Sequence, residues 1–258
     1  MFNVILVQPL FNLLAVIYAL LPGHDFGVAI IILTIIVRLL LWPLVNKQLH
    51  SQRALQRLQP EINRLKSEAK GDKTKEGQLI MELYKEKGIN PFASILPLLV
   101  QLPIFFALYI VLKDIVKAGE IAKLAYPAVQ HMPAIAAAIE QKIVHPTLFG
   151  VIDLSKPSPL LAALAGLAQF FQTRQLTPKH TQGDTQAQML TSMNYVFPFL
   201  TFFIGLSLPS ALALYWVTTS SVAILQQTLV LRQDVEELEE GVKPAKKAIG
   251  AKAKGGKA

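Results

Sequence analysis

The chain has 258 residues, of which 52% are hydrophobic and 16% are charged, and its formal net charge is +8. A mean hydropathy of +0.42 with so few charges excludes an ordinary soluble globular domain. The hydropathy and the net charge together point to a basic membrane protein. The absence of cysteine separately excludes disulfides and thiolate metal sites.

The first 21 residues, MFNVILVQPLFNLLAVIYALL, are apolar enough to span a bilayer. They lack the basic start and the small-residue cleavage site of a secretory signal. Gln8 and Asn12 lie one helical turn apart and can form a thin polar stripe. We therefore expect residues 1–26 to form an interfacial helix on the outer surface, in preference to a sixth span or an uncleaved signal.

Five further apolar stretches are long enough to cross about 30 Å of hydrocarbon as helices. They cover approximately residues 27–45, 93–112, 158–173, 190–208 and 210–231. The third is short enough to require local thinning of the bilayer or burial among its neighbours. The predicted fold class is an all-α membrane protein, a bundle of five transmembrane helices over residues 27–231 with a cytoplasmic helical hairpin.

One arginine, Arg38, interrupts the first of these stretches, IIILTIIVRLLLWPL. It cannot lose its proton, and at the centre of a membrane helix it costs about 2.5–3.5 kcal/mol on insertion scales. The other four stretches contain no Asp or Glu to pair with it. Arg38 must therefore face water, polar side chains or an incoming partner, unless it reaches back past Val45 to the inner interface.

The distribution of positive charge predicts the orientation. Residues 46–90 carry ten lysines and arginines, and the segment 232–258 is also basic, so both are expected in the cytoplasm. The N-terminus and residues 113–157 are then outside, and residues 174–189 are inside. The outer segment itself holds five lysines, which weakens this rule without reversing it.

The cytoplasmic segment 46–90 has two apolar stripes separated by KGDKTK, which predicts an antiparallel helical hairpin. The stripes are Leu55, Leu58, Ile62 and Leu65, and then Leu79, Ile80, Leu83 and Tyr84. Pro60 should kink the first helix or reset its start. Gly88 should cap the end of the second helix. The alternative is a solvated arm without a specific role.

Several motifs follow one another in the order LYKEKGINPFASILPLLVQLPIFFALY (83–109), VIDLSKPSP (151–159), FFQTRQL (170–176) and LPSALALYWVTTSSVAILQQ (208–227). Together with QPEINRLK (59–66), they resemble the YidC/Oxa/Alb family of membrane protein insertases, in its short bacterial form. The chain departs from the family pattern at Ala93 and Ser94, where glycines are frequent.

The resemblance implies a hydrophilic groove that opens to the cytoplasm and to lipid, is closed on the outer side and contains Arg38. The positions that match groove-lining residues of the family are Arg38, Gln172 and Trp216. Further polar candidates for the groove, taken from the spans themselves, are Gln101, Asn194 and Thr219. Taken singly, each polar residue could instead form an interhelical hydrogen bond, and Trp216 could be an interface anchor.

The implied function is insertion of hydrophobic segments of nascent membrane proteins into the bacterial plasma (inner) membrane, without covalent catalysis, cofactor or metal. The alternative is an accessory chaperone of the Sec translocon. Membrane lipids are expected partners; the Sec translocon, the signal recognition particle or its receptor, and the ribosome are open ones, and DNA is not expected. The basic segment 232–258 should be disordered and bind either anionic lipid or ribosomal RNA.

Other function classes fit the residues poorly. A serine protease would need a Gly-x-Ser-x-Gly motif, but the nearest match, GLSLP (205–209), ends in Pro209. All five histidines lie outside the predicted spans, which argues against a zinc or haem site. A proton-coupled transporter would need a membrane carboxylate, and none is visible in the four later spans.

Overall fold

The computed structural model describes residues 1–90, 96–115, 120–141, 146–175, 185–230 and 232, with the side chains of 96–98, 115 and 185–194 outside the described part. The described chain is mostly helical, as expected for an all-α protein. The exception is one short antiparallel hairpin, in which β1 (Thr147–Leu148) pairs with β2 (Ile152–Asp153).

The N-terminal residues form one continuous helix, with a π-helical start (Asn3–Val7) that runs into α1 (Gln8–Leu20). Its buried face packs against α2 and against the short helices of the segment 120–141. The Asn12 amide joins the two parts, donating to the Leu124 carbonyl at 3.0 Å and accepting from the Tyr126 backbone N–H at 2.6 Å. The N-terminal helix and this segment are therefore packed as one layer.

The first predicted span is bent in the structure. Helix α2 (Phe26–Leu40) is separated by Leu41 from α3 (Trp42–Arg57), and the two helices meet at 63°. Pro43 explains the break, since it has no N–H to donate and its ring collides with the carbonyl of the preceding turn. The predicted span over residues 27–45 is therefore not one continuous helix, because it is interrupted at Leu41.

The arm is built from α3, α4 (Gln59–Glu68) and α5 (Lys73–Glu86), with α4 and α5 joined by a tight turn. The chain breaks at Leu58, just before Pro60, and α5 ends before Gly88, which has a φ of +64°. Both predicted boundaries are confirmed. A small apolar cluster lies between the helices and contains Leu58, Ile62 and Leu83, with Leu65, Ile80, Tyr84 and Ile89 at its edge.

The second predicted span is α6 (Leu96–Ile115), which is followed by α7 (Glu120–Leu124), α8 (Pro127–Gln130) and α9 (Pro133–Gln141). The β-hairpin then leads into α10 (Pro159–Gln175). Helix α11 (Thr185–Ser207) and α12 (residues 210–230) complete the described chain.

Helices α10 and α11 approach closely through small residues, as membrane helices commonly do. A Cβ on Gly166 of α10 would lie 3.2 Å from the Pro198 carbonyl oxygen of α11. A Cβ on Gly205 of α11 would lie 3.0 Å from the Cβ of Ala162. These contacts leave little room for larger side chains along the pair.

Within the described residues, Asn3–Leu20 is the one helix that is both long and apolar enough to cross a bilayer. The bent pair α2 and α3 meets the same criterion if both are counted as one span, and Tyr195–Ser207 is apolar but shorter. The four later predicted spans overlap α6, α10, α11 and α12. The count of five spans stays a prediction.

Candidate functional site

The predicted site residues Arg38 of α2 and Gln101 of α6 both interact with one residue of α12. The link between them is Tyr215 of α12, which is only 3% exposed. Gln101 Nε2 donates a hydrogen bond of 2.6 Å to the Tyr215 hydroxyl, and Arg38 lies within electrostatic range of the same tyrosine. The structure therefore gathers a charge, an amide and a phenol into one polar group.

Arg38 itself lies in the last turn of α2 and is half-buried. Within the described part of the chain, no carboxylate forms an ion pair with it. The electrostatic neighbour that the structure provides is the Tyr215 hydroxyl. A half-buried guanidinium with five donors and no counter-ion among the described residues is able to bind an external acceptor.

Thr219 lies one helical turn beyond Tyr215, so both side chains share a face of α12. Its hydroxyl is buried and interacts with the Tyr215 hydroxyl, but it makes no hydrogen bond of ordinary geometry. Thr219 thus adds, beside Tyr215, a hydroxyl that has no hydrogen-bond partner of ordinary geometry among the described residues.

Trp216 is placed differently from its neighbour Tyr215. Its ring stacks on Phe105 of α6, with 5.2 Å between the ring centroids and 18° between the ring planes. This aromatic contact stabilises the packing of α12 on α6. Trp216 therefore has a packing role next to Tyr215 in the chain.

Gln172 lies on α10, between two polar contacts that join this helix to α12. The Ser220 hydroxyl donates to Gln169 at 3.4 Å, and Gln175 Nε2 donates to the Thr228 hydroxyl at 3.3 Å. Gln172 Oε1 is buried and accepts no hydrogen bond from the described residues. The remaining candidate, Asn194, lies in α11, and its side chain falls outside the described part.

A second polar group, centred on Gln226 of α12, lies at the bend between α2 and α3. Gln226 is fully buried, and its Nε2 donates to the Trp42 carbonyl at 3.2 Å and to Asn46 Oδ1 at 2.9 Å. Because the Trp42 oxygen can only accept, the amide orientation of Gln226 is determined and its Oε1 is left without a donor. Gln226 therefore ties the last helix to the bend.

Several buried polar atoms on α3, α10 and α12 lack a hydrogen-bond partner among the described residues. They are Gln48 Nε2, Gln172 Oε1, Gln175 Oε1, Thr219 Oγ1, Gln226 Oε1 and Gln227 Oε1. Leaving such an atom unsatisfied costs about 1–3 kcal/mol, so these atoms require a polar partner beyond the described residues, and water is one such partner. Their shared location makes the interface of these helices polar, whereas the side chains around α1 form an apolar core.

Neither Tyr215 nor Gln48 is indicated as a site residue by the sequence patterns described above. The available signal for Tyr215 was its place next to Trp216 in LYW and one turn before Thr219. Gln48 lies in a polar stretch beyond the apolar run, where composition gives no indication of burial. Within the described residues, no group of His, Asp or Glu side chains is arranged to hold a metal ion.

Comparison with known proteins adds an independent finding. Residues 17–237 match the family model described as 60 kDa inner membrane protein. The chain is similar to the membrane protein insertase YidC of Clostridium tetani, with 36% identity over 81% of this chain and 82% of the relative. The insertase YidC of Fusobacterium nucleatum is 32% identical, over 81% of this chain and 87% of the relative.

Longer relatives match as well. The insertase YidC of Streptomyces avermitilis is 33% identical over 82% of this chain, but the match covers 52% of that relative. This chain therefore corresponds to most of the two shorter relatives and to about half of the longer one.

Proposed function

The chain belongs to the 60 kDa inner membrane protein family, and on that premise we propose that it inserts hydrophobic segments of newly made proteins into the bacterial inner membrane. The observation that carries the proposal is Arg38, a half-buried cation without a carboxylate partner in the described chain, beside the Gln101–Tyr215 pair. The buried unsatisfied amides on α10 and α12 support a hydrated groove next to it.

In the proposed mechanism, a client segment flanked by a short polar or acidic stretch enters this groove from the cytoplasm. The guanidinium and the hydrated amides lower the free energy of the polar stretch inside the bilayer, because charge and hydrogen bonds are satisfied there. No bond is made or broken in the client, so the activity is not enzymatic. Gln172, Thr219, Trp216 and Asn194 are proposed as further groove residues.

The apolar part of the client would then move into lipid along the exposed faces of the bundle. On α10 these faces present Leu164, Leu167 and Phe171, and on α12 they present Leu225 and Leu229. These side chains are exposed although they are large and apolar, which supports contact with lipid tails.

We further propose that the N-terminus and residues 113–157 lie outside and that the arm and residues 232–258 lie in the cytoplasm. The contacts of Asn12 support an outer position for α1, because they join it to Leu124 and Tyr126 in the segment that is expected outside. Under this topology, α1 lies in the outer interface and helps to cover that end of the bundle.

Reconstitution tests the function directly. The purified protein in liposomes without other proteins should insert a single-span client, measured by protease protection of the translocated end. Protein-free liposomes and liposomes with heat-denatured protein are the controls. If insertion appears only after a Sec translocon is added, the protein is an accessory chaperone and the proposal of independent insertion is wrong.

A further inference from the structure

The tip of the β-hairpin has an unusual composition for an exposed turn. Phe149 and Val151 are 72% and 84% exposed, and Phe149 and Gly150 have φ values of +53° and +68°. Turns with positive φ are ordinarily built from Asn, Asp or Gly, and a bulky residue is unfavourable there. The hairpin tip therefore combines an unfavourable backbone conformation at Phe149 with exposed apolar side chains.

The hairpin is held tightly to the first turn of α2. The Asp25 carboxylate accepts from the Val28 N–H at 2.8 Å, which caps the helix, and it also accepts from the Phe149 N–H. Gly27 packs so closely on Leu148 that a Cβ at position 27 would lie 2.5 Å from the Leu148 Cδ1. The exposed tip therefore cannot shift independently of this helix end.

The same loop is also held to the start of α12. The Ser210 N–H donates to the Lys156 carbonyl at 2.9 Å, and the Ala211 N–H donates to the Leu154 carbonyl at 3.1 Å. Leu154 is fully buried. Since the chain then enters α10 directly, three helices of the bundle have their outer ends at this hairpin.

We propose that Phe149 and Val151 insert into the outer leaflet, at the boundary between headgroups and acyl chains. The inference rests on the topology proposed above, which places the first turns of α2, α10 and α12 at the outer membrane surface. A tip fixed to three such helix ends must lie at that level. Apolar and aromatic side chains are stabilised at this boundary, whereas exposing them to water costs free energy.

Continuity of the apolar surface favours lipid over a protein partner. Leu160, in the first turn of α10, is 62% exposed and lies just beyond the hairpin in the chain. It begins the row that continues with Leu164 and Leu167, which face lipid in the proposed function. The tip extends this lipid-facing surface to the membrane boundary.

The absence of cysteine allows a direct test. Val151→Cys carries an environment-sensitive fluorophore, and the full chain is reconstituted in vesicles of phosphatidylcholine and phosphatidylglycerol with nitroxide-labelled lipid. The matched control is Glu140→Cys, an exposed position of α9. Nitroxides on the headgroup or near the top of the acyl chain should quench the label at position 151 strongly and the control label little.

A second variant separates lipid contact from folding of the turn. Phe149→Asn places a residue that tolerates positive φ at this position, so the turn should persist while the aromatic anchor is lost. Most of the quenching at position 151 should then disappear. Retention of full quenching in this variant would contradict a role for Phe149.

The possible failures are distinguishable. No quenching at position 151 in vesicles that still insert a client overturns the lipid contact and leaves the function intact. The same holds if the label is shielded in native membranes but not in vesicles, because a protein partner then covers the tip. Labelling of the cysteine only from the cytoplasmic side would instead overturn the topology.

Discussion

Arg38 differs from the buried amides because it carries a charge, which hydrogen bonds to neutral groups do not neutralise. Gln226 satisfies its amide nitrogen within the protein, on Trp42 and Asn46. Arg38 has five donors and, among the described residues, the hydroxyl of Tyr215 as its electrostatic neighbour. A phenol can accept from a guanidinium but cannot neutralise it, which is why we propose that this charge acts on the client.

Variants of Arg38 test this charge. Arg38→Ala should slow insertion of clients with acidic outer stretches by about tenfold or more, since an interaction with a charged group contributes about 1.5–3 kcal/mol. Arg38→Glu should be slower still because it repels these clients. Arg38→Lys should retain most activity, although it loses the planar arrangement of donors.

Clients with neutral outer stretches are the control for Arg38, and they should be affected less by every substitution. Insertion is measured in proteoliposomes with equal amounts of each variant. Normal insertion of acidic clients by the Ala and Glu variants would contradict the proposed charge mechanism. Arg38 would then be a residue whose side chain extends to the inner membrane interface without acting on the client.

The carboxyl of Asp153, at the end of β2, has a strongly lowered pKa. A hydrogen bond from the Ser155 hydroxyl, with further contributions from Lys156 and the Ser155 N–H, lowers the pKa of Asp153 to about 2. A pKa that is lower in the folded state adds stability above the unfolded value of about 3.9, and this stability is lost as the pH falls towards 2.

The expected result is a carboxyl titration of Asp153 with its midpoint near the lower value, measured by carbon chemical shift. Ser155→Ala removes the largest cause and should move the midpoint towards the ordinary value. A midpoint close to 3.9 in the unsubstituted protein would contradict the loop geometry.

At the scale of helices, the bend at Leu41 separates the bundle from the arm. Pro43 causes the break, and Gln226 of α12 holds the first turns of α3, on the arm side of the bend, through Trp42 and Asn46. The direction in which the arm leaves the bundle therefore depends on a residue close to the other end of the chain.

Gln226→Leu should loosen this bend. The substitution leaves Asn46 Oδ1 unpaired and should cost about 1–3 kcal/mol of stability. Spin labels at Ser67→Cys in the arm and Glu140→Cys in α9 should show a broader distance distribution. Asn46→Ala should have a similar but not additive effect, because both residues form one contact. An unchanged distribution in both variants would show that Pro43 alone determines the bend.

The arm has its own small apolar cluster, separate from the core of the bundle. Replacing residues 52–86 by a short flexible linker should therefore leave the bundle inserted and resistant to protease, while client insertion falls. Leu83→Ala, which opens the cluster without shortening the chain, is the matched control and should weaken insertion less. A bundle that is degraded after the replacement would identify the arm as structural.

The two ends of the whole molecule differ in how well they are packed. At the end expected outside, the hairpin, α1 and the helices of 120–141 bury Leu148, Leu154 and Ile135. At the other end, buried amides on α3, α10 and α12 remain unsatisfied by the described residues. This asymmetry agrees with a groove that is closed outside and hydrated inside.

Topology can be tested with single cysteines at Ser67, Ser155 and Thr181, using an impermeant thiol reagent on intact cells. Because lysines and arginines concentrate in the arm and in 232–258, only the Ser155 position should react. Permeabilised cells are the control and should label all three positions. A reaction at position 67 in intact cells would reverse the proposed orientation.

Local signals in the sequence were sufficient for the helical nature of the chain and for several boundaries. Pro60 and Gly88 act on their own neighbours in the chain, through a missing donor and a positive φ, so their effects could be predicted. The family motifs are also contiguous, and the match over residues 17–237 confirms the resemblance that they carried.

Only the tertiary structure determined which polar residues meet. Gln101 and Tyr215 are 114 positions apart, and Asn46 and Gln226 are 180 apart. The hairpin tip at Phe149 likewise depends on Asp25, 124 positions earlier. The sequence by itself established a basic, helical membrane protein with an isolated arginine. The polar neighbours of that arginine, the attachment of Gln226 beside the bend and the position of the hairpin tip arise from contacts between distant segments, which no local periodicity encodes.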